Sequence, residues 1–143
     1  MSSIQETERP RVTLQQGIIL GIVQTEPDFP QPVESFLGFP YAQPPVGDLR
    51  FRPPVKLNPS SDVFDASKYG ASGPGTQLIP TRIPLYHSED CLSVNVFRQQ
   101  AASGSGKLLP VMIYIHGGAF VSLLHLFDNV DVRNLLILTS DGV

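Results

Sequence analysis

A chain of 143 residues with 41% hydrophobic and 16% charged side chains has the size and apolar content of one domain with a core. Its formal charge of -3, with no Arg/Lys block and no basic stripe, excludes a nucleic-acid partner held by electrostatics. The apolar residues come in runs, which excludes a strongly disordered chain, and the 14 prolines and 12 glycines predict short elements joined by many turns.

Residues 1–11 are polar, carry Glu6 and Glu8, and read as a flexible arm without a signal peptide. No apolar run is long enough to span a membrane. With a single cysteine, Cys91, and hence no intrachain disulfide, the expectation is a cytoplasmic, reducing compartment. Residues 12–14 and 18–24 are rich in β-branched side chains and flank Gln15-Gln16-Gly17, so they predict a hairpin turning at Gly17. Gly21, inside the second strand, predicts a bulge or a close approach of backbone.

Pro27, Pro30 and Pro32 are too close together for a helix, and residues 33–39 follow as a short strand. Residues 40–45 are extended or turned by their prolines, 46–48 form a turn, and 49–54 (LRFRPP) run extended again. Residues 62–70 predict a helical turn around Ala66 that stops at Gly70. Residues 91–97 (CLSVNVF) alternate with period two, Leu92, Val94 and Val96 on one side, which predicts a half-buried strand. The linker 101–107 (AASGSGK) fails as a phosphate loop: Ala101 stands where glycine is required, and Leu108 follows the lysine.

Residues 111–116 (VMIYIH) are apolar, aromatic or imidazole throughout and predict a strand buried on both faces. Gly117-Gly118 ends it, which suits both a tight turn and a cradle of backbone N–H groups for a developing negative charge. Beyond Phe120 an amphipathic helix at 121–130 and a last strand at 135–138 are expected. His87, Glu89 and Asp90 fit no standard metal-ligand spacing. Ser122, His125 and Asp128 lie too close together on one element to converge as a triad.

Residues 36–54 (FLGFPYAQPPVGDLRFRPP) closely resemble the first signature of the type-B carboxylesterases, the cholinesterase and fungal lipase group of α/β-hydrolases. Residues 88–95 (SEDCLSVN) resemble the second, and residues 111–120 are similar to the strand and oxyanion loop ahead of the nucleophile. The resemblance implies an α/β fold: the N-terminal part of an α/β-hydrolase, a hairpin plus the first strands of the central sheet, incomplete as given. It covers residues 12–121, with 122–143 a divergent tail expected from truncation or a gene-model artefact.

The resemblance also implies roles. Arg50 and Glu89 form a buried salt bridge, a setting in which arginine is the preferred cation. Gly118 and Ala119 supply oxyanion-hole N–H groups, Ala119 standing where the commoner pattern has a third glycine. Gly117 belongs to the same loop, and His116 is a structural loop residue outside the triad. Cys91 matches a cysteine whose partner would fall within residues 69–77, near Gly73. No cysteine stands there, so a free, half-buried thiol is expected.

No G-x-S-x-G nucleophile elbow occurs in the sequence. The expectation is therefore part of a carboxylic ester hydrolase that uses serine acyl transfer in its full-length form, on a small-molecule or lipid ester. No cofactor, metal or specific protein partner is expected. The alternatives are a non-catalytic cholinesterase-like binding protein and a truncated inactive product.

Overall fold

β-Branched side chains favour a pleated, half-buried surface, and they gather in the first strands of the chain. A computed structural model describes residues 9–25, 31–75, 86–100 and 110–115. Strands β1 (Arg11–Leu14) and β2 (Gly17–Leu20) pair antiparallel, from Arg11 opposite Leu20 to Leu14 opposite Gly17. The turn falls where the sequence puts it, with Gly17 at φ +135°. The second strand of the hairpin, expected over residues 18–24, ends at Leu20: its remainder crosses into a second sheet as β3 (Ile22–Gln24), which pairs with β4 (Val33–Pro40).

Gly21 marks the crossing. A Cβ there would lie 2.6 Å from the Ser35 carbonyl oxygen and 2.8 Å from the Phe36 ring, so the close approach expected of this glycine is present. Among the described residues the strands form two three-stranded sheets, in orders β1-β2-β5 and β3-β4-β6. They meet where Ile19, Phe36 and Ala66 pack together, at 6%, 3% and 0% exposure, with Val12 and Phe39 against them.

Other expectations are corrected as well. Residues 63–65 form no helical turn. They are strand β5 (Val63–Asp65), parallel to β2, with Ile18 N–H donating to Asp62 O and Ala66 N–H to Leu20 O, each at 2.8 Å. The partner strand lies far away in sequence, and burying Ala66 between the sheets outweighs the weak helical preference of its neighbours.

The doubly buried strand at 111–116 is also absent over its described part. Residues 111–115 lie outside both sheets, with Val111, Ile113 and Ile115 at 85%, 80% and 86% exposure. Burial on two faces takes flanking strands and two covering layers, and the described residues supply neither. Lastly, residues 49–54 are not continuously extended. Leu49 closes a 3-10 turn (Gly47–Leu49), and Phe51 turns the chain again at φ 60°.

The strand predicted at 91–97 appears as β6 (Ser93–Gln99), antiparallel to β4. Val96, expected on its covered side, is 42% exposed. The arm drawn over residues 1–11 overlaps the fold at its end. Arg9 Nε donates to Gly21 O at 2.9 Å, and Nη2 donates to Leu20 O at 3.0 Å and pairs with Asp65.

That hydrogen bond from Arg9, with further help from Ser67, holds the Asp65 carboxyl below its ordinary value. A lowered folded-state pKa contributes stability that is full above the pH where an unfolded aspartate titrates and is lost as pH falls through the lowered value. Asp65→Asn is expected to flatten the acid limb of the stability curve and leave the neutral limb parallel to wild type. Urea midpoints across the acid range measure it.

Candidate functional site

The two signature segments come together through the turn at residues 46–50. Val46 enters it extended, Leu49 N–H donates to Val46 O, and Arg50 N–H donates to Gly47 O, both at 3.1 Å. Arg50 leaves extended, and its Nη2 lies 3.1 Å from Glu89 Oε1. Its guanidinium also sits 5.0 Å from the centroid of the Phe51 ring, within cation–π range. Glu89 is carried by a tight turn in which Asp90 N–H donates to Ser88 Oγ at 3.1 Å.

The pair forms, but not in the buried setting expected of it. The Arg50 and Glu89 side chains are 57% and 39% exposed. Water screens both charges here, and an exposed pair is worth about 1 kcal/mol or less. A double-mutant cycle with Arg50→Ala and Glu89→Ala, read by urea unfolding, is expected to give a coupling below about 1 kcal/mol. A coupling of about 3 kcal/mol would mean that the charges are desolvated.

A more enclosed ion pair escaped the sequence reading. Glu34, on β4, accepts from Arg98 Nε on β6 at 2.6 Å, with side-chain exposures of 7% and 36%. The two stand directly opposite in the ladder, and the Arg98 guanidinium lies 5.3 Å from the Phe36 ring centroid. A lone carboxylate inside the apolar strand VESFLGF was the available signal. Asn95, the last residue of the second signature, accepts the Gly38 N–H on its Oδ1 at 2.8 Å and so ties the two signatures a second time.

Cys91 is a free, half-buried thiol. Burial, then the nearby charges of Asp90 and Glu89, push its pKa up. The thiol is thus kept uncharged at neutral pH, the opposite of what a nucleophilic cysteine requires. His87, Glu89 and Asp90 make no metal-binding cluster among the described residues.

His116, Gly117, Gly118 and Ala119 lie outside the described residues, as do the segments 121–130 and 135–138. An open groove of about 600 Å³, lined by Leu14, Ile19, Phe39, Tyr41, Lys56 and Phe64 among others, takes residues 39–41 and Gln43 from the first signature but includes neither Arg50 nor Glu89. No helix among the described residues is long and apolar enough to cross a membrane.

Solved structures define the class to which these strands belong, the α/β-hydrolase fold as esterases carry it. A thermophilic pNB esterase superimposes with a TM-score of 0.65 at 39% identity, over 79% of this chain and 22% of its own. EstA of Aspergillus niger does so at 0.65 and 34% identity, over 82% of this chain and 21% of its own. The family model described as Carboxylesterase family matches residues 8–132, and the chain belongs to that family. Carboxylesterase 1E of Mus musculus is 41% identical over 123 residues, covering 78% of this chain and 22% of the relative. The para-nitrobenzyl esterase of Bacillus subtilis (strain 168) is 42% identical over 113 residues, covering 76% and 21%. The chain thus spans about a fifth of the length of these relatives.

Proposed function

We propose that these residues form the N-terminal part of a carboxylic ester hydrolase that works by serine acyl transfer on small-molecule or lipid esters. The observation that carries the reading is the family match over residues 8–132, supported by the contact of its two signatures at Arg50 and Glu89. In this reading a serine outside the 143 residues attacks the ester carbonyl, and a histidine–acid pair moves the proton from nucleophile to leaving alcohol. The backbone N–H groups of Gly118 and Ala119 stabilise the oxyanion. Donors aimed at that charge in a water-poor site each account for about 10²–10³ in kcat.

The test uses the protein as purified from its own cells. It is expected to hydrolyse p-nitrophenyl butyrate with saturation and to take up one equivalent of a fluorophosphonate probe. Ala119→Pro, which deletes one N–H donor, is expected to lower kcat by about 10²–10³. Folded protein that neither turns over ester nor takes the label overturns the reading in favour of a binding protein. A polypeptide of the 143 residues alone has no serine elbow and is expected to hydrolyse the ester no faster than its denatured control. Saturable turnover by it, with label on Ser122, would place the nucleophile inside this sequence.

A further inference from the structure

The chain between β5 and β6 narrows to a neck at residues 72–73 and 86–88. Ser72 N–H donates to Tyr86 O and Ser88 N–H donates to Ser72 O, both at 2.8 Å, so that Ser72 and His87 form an isolated parallel bridge. His87 Nδ1 lies 3.1 Å from the Gly73 carbonyl oxygen. A carbonyl can only accept, so a bond there requires the proton on Nδ1, whether the ring is neutral or cationic. Ser72 is 2% exposed and Gly73 is buried, which shields one side of the neck from competing water.

The neck leads directly into the turn of the candidate site. Ser88, whose N–H is fixed by Ser72, accepts the Asp90 N–H on its Oγ, and Glu89 between them reaches Arg50. We propose that His87 is a positioning residue: as the Nδ1–H form it clasps the neck to Gly73 and so sets the turn that presents Glu89 to Arg50. The clasp is non-covalent, in the stretch where the resemblance leads one to look for a cysteine partner of Cys91. It therefore works alike in reducing and oxidising surroundings, and it does not depend on the protein being an esterase.

Amide hydrogen exchange of Ser72 and Ser88 tests the clasp in the 143-residue chain, with and without dithiothreitol. His87→Asn places an amide N–H close to the position of Nδ1, whereas His87→Gln places one near Nε2. Loss of one ordinary hydrogen bond speeds exchange about threefold to tenfold. That acceleration is expected for His87→Ala and His87→Gln, with His87→Asn within about twofold of wild type and no effect of reductant. The Phe36 amide, in the core of the second sheet, reports whether each variant remains folded.

The ring ¹⁵N signals of wild-type His87 are expected to show the proton on Nδ1 in the neutral form, and this readout stands even if a variant unfolds. A neutral ring protonated on Nε2 overturns the proposal. So does unchanged exchange in His87→Ala, failure of His87→Asn to rescue in a folded variant, or a neck opened by dithiothreitol.

Discussion

Gly38→Val is expected to destabilise the protein by about 3 kcal/mol or more in urea unfolding. Gly38 sits in the left-handed region at φ 64°, where a β-branched residue is a genuine outlier. The room for a side chain is also gone. A Cβ would strike the backbone nitrogen of Gly70, and it would lie 2.6 Å from Lys68 O and 2.8 Å from the Tyr69 carbonyl carbon. All three are main-chain atoms that cannot swing aside. The register of β4 on β6 shifts between Phe36 and Phe39, a bulge that Gly38 occupies and the Asn95 side chain caps. Because the clash begins at Cβ, Gly38→Ala is expected to do most of the same damage. A midpoint for Gly38→Ala equal to that of wild type, at unchanged m, would mean that the bulge is built otherwise.

Phe36→Ala is the second large loss, about 3–5 kcal/mol by the same measurement. The ring is 3% exposed and packs with Ile19 and Ala66 at the junction of the two sheets. It also occupies the space that Gly21 leaves by having no side chain, and the Arg98 guanidinium lies over it. Truncation removes the apolar transfer term and leaves a cavity that the backbones of two sheets cannot easily close. Phe36→Leu retains most of the buried area and is expected to cost less. A loss below about 1 kcal/mol for Phe36→Ala would mean that the sheets do not meet at this ring.

The hairpin, β4 and β6 were legible because their causes are local. β-Branched runs, period-two alternation and Gly17 act within a few residues of each other. Strand β5 was not, since three residues become a strand only by pairing with β2, far earlier in the chain. Glu34 and Arg98 are 64 positions apart: a lone carboxylate in an apolar strand calls for a partner, but nothing near it says which. At the candidate site, the partnership of Arg50 with Glu89 was readable from the two signatures. Its exposure was not, because desolvation depends on what covers a pair and not on the pair itself. The same holds for residues 111–115, whose composition suits burial while their surroundings among the described residues expose them.

The strand β4 has one near neighbour and one remote one, and this sets an order of events during translation. Gln24 faces Val33 across a short connection, so β3 and β4 can close as soon as both leave the ribosome. The far edge of β4 waits for β6, whose Arg98 follows Glu34 by 64 positions. At synthesis rates of about 5–20 residues per second the wait is roughly 3–13 s. Throughout it the main-chain edge of β4 is unpaired and Glu34 has no counter-charge. A nascent chain in that interval offers chaperones an open strand, and a ribosomal pause anywhere between codons 41 and 92 would prolong the offer.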